Sequence, residues 1–181
     1  MRALFTKKES TTESVDLNEA TREVIALSLS ELQRNQVSLR AELVSDLPHV
    51  IGDRIQLQQV ILNLLRNASD AMSGVDDRPR QLLIRTERDG GDRVRVTVRD
   101  AGVGIEPQAL DKLFDAFYTT KSGGMGIGLS VSRSIVERHH GRLWVERNDG
   151  PGATFVFSIP GESLAAESER ESPGKPVDTK V

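Results

Sequence analysis

Between Lys121 and Arg133 the chain reads KSGGMGIGLSVSR, with Gly123, Gly124, Gly126 and Gly128 inside six residues. A turn needs one or two glycines. Alternate glycines leading into an apolar helix-like run let backbone N–H groups approach a ligand closely at a helix start, and the usual ligand there is phosphate. The stretch fails the P-loop test, because no Gly-Lys-Ser/Thr follows its glycines. A second group of candidates is Gln56, Gln59, Asn63, Asn67 and Asp70, which at about 100° per residue form a polar stripe along one helix. Asparagine is a poor helix former, so Asn63 and Asn67 mid-helix ask for a reason. Two readings are open: solvated residues beside a core face, or amide oxygens turned into a pocket, where one could ligate a hard cation such as Mg2+. A third candidate is Asp100, which ends the alternating run RVRVTVRD and is followed by Gly102 and Gly104. A carboxylate at a strand end can accept from a ligand amine, and nearby glycines let a flat ring lie on the backbone. The Rossmann pattern is not met, since the next glycine after Gly104 is Gly123.

Positioning these groups requires a scaffold, and the periodicity supplies one. Asp16 and Glu19 form a capping-box pattern ahead of a helix with apolar residues at Ala20, Val24 and Leu27 and at Ile25, Leu29 and Leu32. VSLRAELV alternates like a strand and HVIG is a short extended piece. Asp53 and Gln56 open a second helix to Met72, whose apolar arc is Leu57, Val60, Ile61, Leu64, Leu65, Ala68, Ala71 and Met72. LLIRTERDGGDRVRVTVRD predicts a hairpin around Gly90 and Gly91. One short helix, PQALDKLF, interrupts residues 101–125, and the glycine-led helix then precedes strands RLWVER and ATFVFSIP. Strands that neighbour one another in sequence predict an α/β (α+β) two-layer sandwich: a mixed, largely antiparallel sheet with helices on one face.

Composition narrows the function classes. With no cysteine among 181 residues, thiol catalysis, thiolate zinc sites and disulfides are excluded. His49, His139 and His140 are too few and too poorly spaced for a metal cage; the last two end a helix before Gly141, where interaction with the helix dipole is the expected role. A net charge of −3 with mixed signs gives no basic stripe, so no nucleic-acid partner is expected. No apolar run approaches the roughly 18 residues of a membrane span and the start lacks a signal-peptide stretch, so a soluble segment without direct membrane contact is expected.

In this order the pieces resemble one family, the ATP-binding catalytic domain of sensor histidine kinases, within the gyrase, chaperone, histidine kinase and MutL superfamily. NLLRNASDAM is similar to its N box, DAGVGI to its first glycine box, LFDAFYTTK to its F box, GGMGIGLS to its second glycine box and GPGATFVFSIP to its closing strand. The flavour of the F box and second glycine box is that of oxygen- and nitrogen-responsive or aromatic-sensing kinases. The resemblance implies a Bergerat-type fold over residues 16–160, with 1–15 as the end of a dimerisation helix plus linker and 161–181 as a disordered tail or linker. It implies ATP and Mg2+ as ligands: Asn67 on the metal, Asn63 supporting the phosphate end, and Asp100 accepting from the adenine amine with Thr154 beside it. Residues 101–125 would form a lid anchored by Phe114 and Phe117, with Lys121 as the catalytic cation at the terminal phosphates. Gly102, Gly104, Tyr118, Gly124, Met125, Gly126, Ile127, Gly128 and Leu129 would complete the nucleotide site. The implied partners are a dimerisation and histidine-phosphotransfer domain and, indirectly, a response regulator, in the cytoplasm.

Two departures stand out. The position three residues after Asn67, basic in many members, is Asp70, and the block carrying the phosphorylated histidine is missing. The alternatives are an ATP-hydrolysing clamp, which needs a glutamate where this chain has Asn63, and an anti-sigma-type serine kinase.

Overall fold

The computed structural model describes residues 12–119 and 126–163. Capping sets where the first helices start. Asp16 stays extended and its carboxylate accepts from the N–H groups of Asn18 and Glu19, opening α1 (Leu17–Arg34). Asp53 accepts from Gln56 N and opens α2 (Arg54–Met72). The buried arc of α2 is the expected one except at one position: Ser69 replaces Ala71 and accepts a bond from Asn35 Nδ2 at 2.9 Å. On α1 the expected apolar face is narrower. Ala20, Val24 and Leu32 are buried, whereas Leu27 and Leu29 are exposed, because α1 is an outer helix that packs chiefly on α2 and on the first strand, at the edge, of the large sheet.

That sheet has the order β2-β4-β5-β7-β6, formed by β2 (Ser38–Leu43), β4 (Gln81–Arg88), β5 (Arg93–Asp100), β6 (Arg142–Arg147) and β7 (Ala153–Pro160). β2 runs parallel to β4, and the other neighbouring pairs are antiparallel. The hairpin turn uses left-handed backbone at Gly90 and Gly91, with φ of 53° and 61°. Inward residues Val94, Val96 and Val98 of β5 are fully buried beneath α2, and α3 (Gly128–Arg138) packs on β6. The result is the two-layer, mixed and largely antiparallel arrangement the periodicity predicts. PQALDKLF yields a 3-10 segment, Pro107–Lys112, in place of an α-helical turn. No helix among the described residues is long and apolar enough to cross a membrane.

The chain's edges differ from expectation. Residues 13–15, read from sequence as linker, form β1 (Glu13–Val15), which pairs antiparallel with β3 (Val50–Gly52), and Val15 is buried. Gly161 bridges Val50, and Ser14 Oγ lies 3.0 Å from Glu162 Oε2 and 3.1 Å from His49 Nδ1. β3 falls in the expected extended piece HVIG, whereas the three residues of β1 carry too little periodicity to be read from sequence, and only pairing at distance reveals them.

His139 also does more than end a helix. Its ring is buried, Nδ1 donates to Ile135 O at 2.7 Å, and Nε2 accepts from Asp53 N at 3.0 Å. These partners select the neutral imidazole protonated at Nδ1 and tie the end of α3 to the cap of α2. A Cβ on Gly52 would lie 2.3 Å from His139 Cδ2, so the glycine makes room for the ring. His139→Ala should strand the Asp53 N–H and open a cavity, costing about 2 to 3 kcal/mol in urea unfolding. An unchanged midpoint would show that the tie carries no stability.

Candidate functional site

α2 measures the site. At Ala71 its carbonyl accepts from Val103 N at 3.1 Å, directly after the Asp100–Gly102 turn. At Asn63 it meets the start of α3: Asn63 Nδ2 donates to Ser132 Oγ at 3.0 Å, and a Cβ on Gly128 would lie 2.5 Å from Asn63 Oδ1. The eight helical steps from Asn63 to Ala71 span about 12 Å along the helix axis. A cavity of about 530 Å³ occupies this span, lined by Asn63, Asn67 and Asp70 of α2, by Asp100, and by Ile127, Gly128 and Leu129 at the start of α3.

At one end sits Asp100, only 3% exposed. Its Oδ1 accepts from Gly102 N at 2.8 Å and Ala153 N at 3.4 Å. Both bonds fall on Oδ1, which leaves Oδ2 for an outside donor. Burial pushes the carboxyl pKa up from its ordinary value, and the two backbone N–H groups oppose that rise. At the other end α3 begins at Gly128 with no side-chain bond from its N-cap Ile127, and Ile127, Gly128 and Leu129 line the cavity, so the positive dipole end of the helix lies against it. The donor set fits a hard cation held largely by ligand oxygens. Asn67, whose side chain carries an amide oxygen, lines the cavity, and no cluster of three or more His, Cys, Asp or Glu side chains among the described residues builds a cage without a ligand.

The structure brings most sequence-predicted residues together. Asn63, Asn67, Asp100, Gly104, Tyr118, Gly126, Ile127, Gly128 and Leu129 all line the cavity. Gly102 does not: it supplies the N–H that holds Asp100, and a Cβ there would lie 2.5 Å from Ala71 O. Thr154 is corrected. Strand alternation turns Ala153 and Phe155 inward to line the cavity, while Thr154 Oγ1 faces the opposite side of the sheet and donates to Asn148 Oδ1 at 2.6 Å. The same alternation, counted back from the buried Phe157, would have found Ala153 in the sequence. Phe114 packs against the core with the Arg133 guanidinium 5.5 Å from its ring, but Phe117 is 80% exposed at φ 69° and anchors nothing through its side chain. Its backbone acts instead: Phe117 N donates to Gly126 O at 2.9 Å, and a Cβ on Gly126 would lie 2.6 Å from Phe117 C. Gly126, at φ 65°, and Gly128 are thus required by close packing of protein on protein. Lys121, Gly123, Gly124 and Met125 lie outside the described residues. Sequence reasoning missed the walls Ala71, Ile105, Leu113 and Phe155, which have no signature beyond being apolar.

Comparison with known proteins identifies the family. Residues 52–163 match the family described as histidine kinase-, DNA gyrase B- and HSP90-like ATPase. The sensor protein FixL of Bradyrhizobium diazoefficiens is 39% identical over 160 residues, covering 88% of this chain but 31% of FixL. The chain thus spans about a third of that relative. The nucleotide-free catalytic domain of histidine kinase ThkA is 33% identical with a TM-score of 0.73, over 83% of this chain and 96% of that one. Full-length ShkA in complex with AMPPNP is 28% identical with a TM-score of 0.74, over 84% of this chain and 32% of ShkA. With its cavity between an Asn-bearing helix, a buried aspartate and an uncapped helix start, the chain belongs to the histidine kinase-, DNA gyrase B- and HSP90-like ATPase family, among the catalytic domains of sensor histidine kinases.

Proposed function

We propose that the chain binds Mg-ATP in this cavity and presents the terminal phosphate to a histidine on a dimerisation domain outside the chain, as the catalytic part of a cytoplasmic sensor kinase. The observation that carries the reading is the placement, beside Ala71 and Asn63, which are about 12 Å apart along α2, of a buried carboxylate that accepts and a helix start that donates. Asp100 takes the adenine amine on Oδ2, and the first-turn N–H groups of α3 take the phosphates. Asn67 offers its amide oxygen to Mg2+, which when bound offsets phosphate charge. The acceptor imidazole attacks the terminal phosphorus while the bond to the ADP oxygen breaks, so this chain's part is alignment and desolvation. Asn63 has no basic group to activate water, and its amide is engaged by Ser132, which disfavours the hydrolytic clamp. The serine-kinase alternative is likewise not favoured, since relatives such as TmoS and ZraS are named as sensor histidine kinases. A response regulator then enters only indirectly, taking the phosphoryl group from that histidine.

Thermal-shift titration tests the reading. Mg-ATP near 100 times its Kd should stabilise the fold by about 2.7 kcal/mol. Asn67→Ala should remove the part of that shift that EDTA removes from the parent chain. With γ-labelled ATP the chain alone should stay unlabelled, and the histidine of its own dimerisation helices should label when they are added. No shift at millimolar nucleotide, or brisk hydrolysis by the chain alone, overturns the proposal.

A further inference from the structure

Where β5 ends, the chain leaves the ladder and its carbonyls need new donors. Three successive ones find side chains from outside the cavity. Asp100 O accepts from Asn148 Nδ2 at 3.1 Å, Ala101 O from Arg78 Nε at 3.0 Å, and Gly102 O from Arg78 Nη2 at 2.9 Å. Asn148 is itself held, since its Nδ2 also donates to Pro151 O at 2.8 Å and its Oδ1 accepts from Thr154. Both side chains come from loops, Arg78 from the α2–β4 connection and Asn148 from the β6–β7 turn, and neither lines the cavity.

We propose that Arg78 and Asn148 are positioning residues for base recognition. Together they clamp the backbone from Asp100 to Gly102, directly after the carboxylate whose Oδ1 depends on the Gly102 N–H of that same turn. The planar guanidinium spans two adjacent carbonyls, which a single-point lysine cannot do. The inference rests on Asp100 reading the adenine amine. Thr154 acts one step further back, by fixing the amide orientation of Asn148.

The test compares ADP with inosine diphosphate, which carries a carbonyl where adenine has its amine, by isothermal titration of the full chain well below its melting temperature. The parent should prefer ADP by about 100-fold. Arg78→Ala and Asn148→Ala should each cut that preference about tenfold, mostly through weaker ADP binding. Arg78→Lys should recover only part of it. Thr154→Val, a milder change in case the others fold poorly, should cut it about threefold. Arg80→Ala is the control for structure alone: its guanidinium donates to Val75 O and Asn35 O, both at 2.9 Å, and away from the Asp100 turn. It should lower the melting temperature and leave the preference unchanged. An unaltered preference in the Arg78, Asn148 and Thr154 variants overturns the proposal, and so does a matching loss in Arg80→Ala. A parent that does not distinguish the two nucleotides overturns the adenine reading itself.

Discussion

Asp100→Asn is expected to weaken ADP on the order of 100-fold, or about 3 kcal/mol, without lowering the melting temperature of the nucleotide-free protein at neutral pH. The loss follows from donor counting. Gly102 N and Ala153 N both point at Oδ1, and the adenine amine needs the other oxygen. An asparagine amide has one oxygen, so either orientation sets its NH2 against a donor. The stability side follows from the raised pKa. A carboxyl whose folded pKa lies above its unfolded value contributes stability at low pH that is lost as the pH rises through the raised value. An amide never ionises and escapes that loss. For the same reason ADP affinity of the parent should fall as the pH drops from neutral toward aspartate's ordinary value of 3.8, because only the ionised form accepts without donating. Calorimetric titration across that range, with the parent and the variant in parallel, checks both. A variant that binds ADP like the parent would remove Asp100 from base recognition.

Gly152→Ala should cost 3 kcal/mol or more and lower the melting temperature by about 10 °C. Gly152 sits at φ 88°, where an L-residue is strained, and a Cβ there would lie 1.9 Å from Asp100 O. That oxygen is backbone, already held by Asn148, so it has little freedom to retreat. Gly150→Ala is the matched control two residues away. Nothing lies within 4 Å of its Cβ position and its φ is not in the left-handed region, so its melting temperature should stay within about 1 °C of the parent. Equal melting temperatures for the two variants would mean that the turn does not press on β5 as described.

Short-range chemistry was legible in the residues alone. The caps at Asp16 and Asp53, the apolar arc of α2 and the Gly90–Gly91 hairpin each depend on neighbours within a few positions, and the structure reproduces them. So was most of the site, because Asn63, Asn67, Asp100 and the start of α3 lie in motifs whose spacing carries their chemistry. What escaped the sequence depends on contacts between distant segments. The phase of β7 is an exception: the alternation through Phe155 and Phe157 already turns Ala153 to the cavity, and the polarity of Thr154 points to the wrong residue. The reason for Gly126 and Gly128 is the backbone of Phe117 and the amide of Asn63, which only folding brings against them. Arg78 and Asn148 sit in loops with no pattern at all, and they acquire a role only because β5 ends between them, leaving three carbonyls that must be satisfied.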